Sequence, residues 1–142
     1  MQNTVDARPI LPLILIVEDA NFNLHAEKLT LEANGYEVVT TTEGASALTL
    51  TELHSPAAIV LDLNLPDMNG IDVLKSLKAE EATSDIPVLI CSADGNDETV
   101  ASCKDAGAKE YLIKPFSAEL FIDAVERVLD RNDSEPDPET AA

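Results

Sequence analysis

The sequence predicts an α/β fold, an open and doubly wound parallel sheet of five strands with five helices. Five short apolar runs, rich in β-branched residues, alternate along the chain with segments of helical spacing, which is the pattern of repeated βα units. The first, third and fourth runs are apolar almost throughout, as in strands that helices cover on both faces. With right-handed crossovers, the carboxyl ends of all five strands then border one crevice.

Each element has its own local signal. The first helix is predicted to end at Asn34-Gly35, because Asn and Gly adopt a left-handed helix stop at low cost. Gly107 is expected to end a later helix in the same way, and Ser117 is a candidate N-cap of the last helix. The five predicted strands are Leu13–Val17, Glu37–Thr41, Ala58–Leu61, Val88–Ser92 and Glu110–Ile113.

The length of 142 residues suits one domain. We expect an irregular lead-in over residues 1–12, the domain over 13–131, and a disordered acidic tail over 132–142, whose composition has nothing to bury. We expect no further domain after the fifth helix, so the domain is expected to act alone.

Charge and cysteine content exclude some classes of function. The net charge of -18 would repel a phosphate backbone, so direct nucleic-acid binding is not expected. The apolar run from Ile10 to Val17 contains Pro12 and is far shorter than the roughly twenty residues of a membrane span. Cys91 and Cys103 form no C-x-x-C pattern and are expected to be free thiols. With no signal peptide recognised, we expect a cytoplasmic protein without a membrane segment.

Polar residues follow four of the predicted strands. Glu18 and Asp19 come after the first, Asp62 after the third, Ser92 ends the fourth, and Lys114 follows the fifth. Three acids in one crevice would repel each other strongly unless a hard cation with oxygen ligands neutralised them. Mg²⁺ is the natural candidate, because it accepts a few carboxylates, retains waters and binds phosphate oxygens.

Four segments in this order and spacing resemble the motifs of response-regulator receiver domains. The resemblance covers Leu13 to about Arg131 and implies a flavodoxin-like sheet with the strand order 2-1-3-4-5. The segments are ILIVEDAN, LDLNLPDMNG, ICSAD and YLIKPF.

The resemblance also implies roles for the residues of the crevice. Glu18 and Asp19 would hold Mg²⁺ together with the backbone carbonyl of Asn64. Asp62 would be both a metal ligand and the residue that accepts a phosphoryl group from a phosphohistidine. Lys114 would pair first with the carboxylate and then with the phosphoryl group.

Further implications concern signalling and partners. Ser92 would bond the new phosphoryl group, and Tyr111 would then turn from an exposed to a buried position. Pro115 occupies the family's cis-proline position. A sensor histidine kinase or histidine phosphotransferase is expected to dock near residues 21–24 and the Pro115-Phe116 turn, and the signal would pass to a downstream protein target or along a phosphorelay.

Three alternatives stay open at this point. A haloacid-dehalogenase-like phosphatase would need a second aspartate where Asn64 stands, so we expect no enzyme activity beyond self-phosphorylation and self-dephosphorylation. A flavodoxin-like binder would have to hold phosphate in the loop that carries Glu18 and Asp19, which would repel it. A receiver that acts only as a phosphorylation-independent scaffold is disfavoured, because all the site residue types are present.

Other polar residues have more ordinary interpretations. Asp67 is expected to be only a turn residue, and His25 and His54 are expected to lie on the surface. Asp94 and Asn64 flank the expected path of an attacking water, which suggests the hypothesis that this pair permits fairly rapid self-dephosphorylation.

Overall fold

A computed structural model describes residues 10–130 of the chain. Five parallel strands form one sheet in the order β2-β1-β3-β4-β5, which confirms the predicted architecture. Five helices alternate with the strands along the chain. The elements are β1 (Leu13–Val17), α1 (Asn21–Ala33), β2 (Glu37–Thr41), α2 (Gly44–His54), β3 (Ala58–Asp62), α3 (Gly70–Ala79), β4 (Val88–Ser92), α4 (Asp97–Asp105), β5 (Glu110–Ile113) and α5 (Ala118–Leu129).

Four strands have the predicted bounds, and β3 is one residue longer than predicted. The additional residue is Asp62, which lies opposite Cys91 of β4 in the sheet register. Pairing with β4 therefore fixes the backbone of Asp62. This residue belongs to the sheet rather than to the loop that follows it.

The sheet separates two apolar clusters. Leu15, Leu61 and Ile90 face the side of α2, α3 and α4, whereas their neighbours along each strand face α1 and α5. The central strands β1, β3 and β4 are buried nearly throughout, as predicted from their apolar runs. The edge strands β2 and β5 are mostly half-buried.

The predicted helix ends are confirmed. Asn34 caps the carboxyl end of α1, and the next residue, Gly35, has a left-handed φ of +92°. Gly107 follows α4 with a φ of +113°, a conformation that L side chains rarely adopt. Ser117 Oγ accepts a 3.0 Å hydrogen bond from the backbone N–H of Leu120 and so caps α5.

The two cysteines and the Lys114-Pro115 peptide bond agree with their predictions. Cys91 and Cys103 are free and buried, and the peptide bond between Lys114 and Pro115 is cis, both as expected. Within residues 10–130, no helix combines the length and apolar character needed to cross a membrane. The predicted tail over 132–142, and residues 1–9 of the predicted lead-in, lie outside the described residues.

Candidate functional site

Three charged residues that are distant in sequence meet at the carboxyl edge of the sheet. Glu18 directly follows β1, Asp62 ends β3, and Lys114 directly follows β5. Lys114 Nζ lies 2.7 Å from Glu18 Oε1 and 3.6 Å from Asp62 Oδ2. One ammonium group therefore contacts two carboxylates that different strands contribute.

Both carboxylates are withdrawn from solvent. Glu18 is 2% exposed and Asp62 is 6% exposed. Glu18 Oε2 accepts a 3.2 Å hydrogen bond from the N–H of Ala20, and Asp62 Oδ1 accepts one of the same length from the N–H of Asn64. Each carboxylate thus has one oxygen bound to its own loop and one oxygen directed at Lys114.

The electrostatics of the site reflect this burial. Burial raises the pKa of Glu18, the hydrogen bond from Lys114 lowers it, and the neighbouring Asp62 raises it again, so the pKa of Glu18 lies above its usual value. Burial alone would lower the pKa of Lys114, but the hydrogen bond with Glu18 and the surrounding acidic groups outweigh it and raise that pKa. The site therefore holds more negative charge than one ammonium neutralises.

Asp19 directly follows Glu18, and Asn64 lies two residues after Asp62. Both are exposed and line the same open cavity, of about 530 Å³, beside the loop that follows β3. Across the described part of the chain, no group of three or more His, Cys, Asp or Glu residues is arranged to hold a metal ion. The carboxylate oxygens and the surplus of negative charge fit a hard cation such as Mg²⁺ chemically, but one oxygen of Glu18 is committed to Lys114.

Ser92 closes the other side of the site. Its side chain is fully buried, and its Oγ accepts a 3.1 Å hydrogen bond from the N–H of Asp94. Ser92, Asn64 and Asp94 line a cavity of about 360 Å³ between α3 and α4. The Asp94 carboxylate is held by the N–H of Asn96 at 2.9 Å and by the Thr99 hydroxyl at 2.9 Å.

Tyr111 connects β5 to the loop after β4. Its hydroxyl donates a 2.5 Å hydrogen bond to the backbone carbonyl of Asp94, and its ring packs on the apolar cluster beside α4. Partial burial raises the pKa of Tyr111, while a hydrogen bond with Ser92 lowers it. Tyr111 is thus half-buried, with its hydroxyl bound to the loop that begins at Ser92.

Asp67 has a larger structural role than that of a turn residue. Its two carboxylate oxygens accept hydrogen bonds from the N–H groups of Gly44 and Ala45, at 2.8 and 3.0 Å, and so cap the amino end of α2. These bonds lower the pKa of Asp67. His25 and His54 are exposed, as predicted.

Glu27 is a buried acid on α1 that was not predicted from the sequence. Glu27 is 5% exposed, and its Oε1 is a buried side-chain atom with no hydrogen-bond partner. Burial and the charge of Glu18 raise the pKa of Glu27 to about 8, although Lys114 opposes the shift. A signal was present, because Glu27 lies three residues after Leu24 and four before Leu31, on the apolar stripe of the helix.

Comparison with known proteins shows strong similarity at the sequence level. The family model described as "Response regulator receiver domain" matches residues 14–126. The chain is 39% identical over 117 residues to the chemotaxis protein CheY of Bacillus subtilis, which covers 82% of this chain and 96% of that protein. It is 34% identical over 119 residues to the polar-differentiation response regulator DivK of Brucella ovis. This match covers 82% of this chain and 94% of DivK.

Other relatives are longer than this chain. The transcriptional regulatory protein KdpE of Mycobacterium tuberculosis is 37% identical over 120 residues, which cover 84% of this chain and 52% of KdpE. The chain therefore matches about half the length of that regulator.

Solved structures show the same fold. The chemotaxis response regulator CheY4 of Vibrio cholerae superimposes with a TM-score of 0.80 at 28% identity, covering 84% of this chain and all of that one. The receiver domain of the sensor histidine kinase PA1611 of Pseudomonas aeruginosa has a TM-score of 0.78 at 27% identity. The superposition covers 84% of this chain and 98% of that one. That structure has a magnesium ion coordinated in its active site cleft.

Proposed function

This chain belongs to the response regulator receiver family, and we propose that it accepts a phosphoryl group on Asp62 and signals through the phosphorylated state. The observation that carries the proposal is the buried Asp62 carboxylate at the end of β3, with the Lys114 ammonium 3.6 Å from one of its oxygens. Asp62 ends β3, a strand paired with β1 and β4, and the ammonium can neutralise charge that arrives on a phosphoryl group.

The proposed step is the transfer of a phosphoryl group from a phosphohistidine. An oxygen of Asp62 forms a bond to phosphorus while the bond from phosphorus to the donor's imidazole nitrogen breaks. The imidazole leaves with the electron pair and takes a proton from solvent. The product is an acyl phosphate on Asp62, so what this chain supplies is positioning and charge neutralisation.

We propose that Glu18, Asp19, Asp62 and the backbone carbonyl of Asn64 hold a Mg²⁺ ion. Their oxygen ligands fit this cation, and the related PA1611 receiver domain has magnesium in its active site cleft. When bound, the cation neutralises phosphoryl oxygens during transfer. Glu18 has one oxygen on Lys114 and the other on the N–H of Ala20, so a cation at Glu18 would compete with Lys114 for this carboxylate.

Lys114 and Ser92 are proposed to receive the new phosphoryl group. The compact Lys114 ammonium donates a hydrogen bond to the phosphoryl oxygens, and the Ser92 hydroxyl donates another. Movement of Ser92 would shift its loop, which holds the hydroxyl of Tyr111 at Asp94. Tyr111 would then leave its half-exposed position for a buried one and change the surface around α4, β5 and α5.

The proposed activity is signalling rather than turnover. Receiver domains are generally not enzymes, and we propose only self-phosphorylation and self-dephosphorylation for this one. The proposed partners are a sensor histidine kinase or histidine phosphotransferase and a downstream protein target. We propose a cytoplasmic location and no direct contact with nucleic acid, supported by the free thiols and the net charge of -18.

A small phosphoramidate donor tests the proposal without a kinase. The wild-type chain should become labelled in Mg²⁺ and not in excess chelator, and Asp62→Asn should abolish labelling. Asp123→Asn is the matched control, because it makes the same change on an exposed aspartate of α5 that belongs to neither the site nor a helix cap. Labelling of Asp62→Asn at the wild-type level, or no labelling of the wild type, would refute the proposal and favour the scaffold alternative.

A further inference from the structure

A second acidic group lies beside Lys114, outside the proposed set of cation ligands. A cavity of about 440 Å³ between α1 and the loop after β5 is lined by both Glu27 and Lys114. Glu27 is buried, and its Oε1 has no hydrogen-bond partner. An unpartnered buried carboxyl oxygen is costly, so a partner that can reach it is strongly favoured.

Lys114 is the donor that can meet this need. Its ammonium has three N–H groups, of which one is donated to Glu18 at 2.7 Å, with Asp62 further away at 3.6 Å. The two residues already interact through their charges, because Lys114 lowers the pKa of Glu27 and Glu27 raises the pKa of Lys114. Its flexible four-carbon stem allows the ammonium to change partners.

We propose that Glu27 is a positioning residue for Lys114, whose free carboxyl oxygen receives the ammonium when Glu18 turns to a bound cation. The inference rests on the proposed function, because it requires a cation at Glu18. Lys114 then stays ordered beside Asp62 instead of extending into solvent. Glu27 contacts neither the cation nor the phosphoryl group in this arrangement.

The proton exchange of the Lys114 ammonium with water measures this partner change directly. We compare wild type, Glu27→Gln and Glu27→Met by nitrogen-15 NMR of the lysine side chains, with and without saturating Mg²⁺. Without Mg²⁺, Glu18 holds the ammonium, and all three proteins should exchange at similar rates. With Mg²⁺, Glu27→Met should exchange about tenfold faster than wild type, the effect of losing one hydrogen bond from the charged ammonium. Glu27→Gln keeps a carbonyl acceptor and should exchange as the wild type does.

Glu32→Met is the matched control for replacing a glutamate of α1 by methionine. Glu32 lies on the same helix, is 43% exposed and pairs with Lys28 at 3.5 Å, so this variant should behave as wild type. Equal exchange in wild type and Glu27→Met in the presence of Mg²⁺ would overturn the inference. Faster exchange already without Mg²⁺ would also overturn it, because Glu27 would then support the fold rather than receive the ammonium.

The two proposals can fail separately. Phosphoramidate labelling of the wild type decides whether Asp62 is a phosphoacceptor, whereas ammonium exchange in Mg²⁺ alone decides the role of Glu27. Labelled wild type with unchanged exchange in Glu27→Met would reject the role of Glu27 and leave the proposed function intact.

Discussion

Lys114 Nζ donates a 2.7 Å hydrogen bond to Glu18 Oε1 across 96 positions of sequence. The bond joins the loops that follow β1 and β5, two strands that are not neighbours in the sheet. It places a positive charge at the carboxyl edge, where Asp62 ends β3, one of the two strands between them. In the proposed chemistry, Lys114 exchanges this bond for one to the phosphoryl group on Asp62.

Replacing Lys114 by Met should destabilise the fold. The change leaves the buried carboxylates of Glu18 and Asp62 without their counter-charge, which costs about 3 kcal/mol at pH 7. This loss of unfolding free energy should become smaller as pH falls, because Glu18 has a raised pKa and takes up a proton. Urea denaturation measures both effects. Lys28→Met, which breaks an exposed pair on α1, should cost about 0.5 kcal/mol or less, and equal losses in the two variants would contradict the account.

Glu27 should make stability depend on pH. Burial raises the pKa of Glu27 to about 8 in the folded chain, from an ordinary value of 4.5, so between these values the folded state retains a proton that the unfolded state has lost. The favourable contribution of the protonated group is fully present below pH 4.5 and is lost as pH rises towards 8, by about 1.4 kcal/mol per pH unit. Denaturation at pH 5 and pH 8 should therefore show a larger loss for wild type than for Glu27→Gln. Parallel losses would argue against the raised pKa.

Tyr111 should report phosphorylation through its exposure. The chain has two tyrosines and no tryptophan, so Tyr36→Phe leaves Tyr111 as the single strong fluorophore. Phosphoramidate treatment of this variant should reduce quenching of Tyr111 by a soluble quencher, because the ring moves to a buried position. Adding Ser92→Ala should abolish the change. An unaltered quenching constant in the labelled protein would contradict the proposed switch.

Asp94 should influence the lifetime of the phosphoryl group. Replacing Asp94 by Val removes a polar group from the cavity beside Ser92, and we expect dephosphorylation to slow several-fold. The decay of label after addition of chelator measures the lifetime. Thr99→Val is the control, because it removes the hydroxyl that binds Asp94 but leaves the carboxylate in place. An unchanged lifetime in the Asp94 variant would count against the hypothesis.

The sequence allowed the fold to be predicted because its signals are local. Continuous apolar runs marked the buried strands, and Asn34, Gly107 and Ser117 marked helix ends through their own backbone preferences. The convergence of Glu18, Asp62 and Lys114 also followed from the topology, because parallel strands end at one edge.

Side-chain partners over long distances could not be predicted in this way. Asp67 caps α2 from 23 positions away, and no local pattern marks that bond. The hydrogen bond between Glu18 and Lys114 depends on side-chain geometry and not on spacing. Glu27 was detectable as a charge on an apolar stripe, but its proximity to Lys114 required the packing of α1 against the sheet.

Chemical mapping of the phosphorylated residue is the most direct measurement of the central claim. An acyl phosphate on aspartate is reduced by borohydride to homoserine, which marks the modified residue for peptide sequencing by mass spectrometry. After phosphoramidate treatment in Mg²⁺, we predict homoserine at position 62 and unmodified aspartate at positions 19, 67 and 94. Homoserine at any of those other positions, with aspartate retained at 62, would contradict the account.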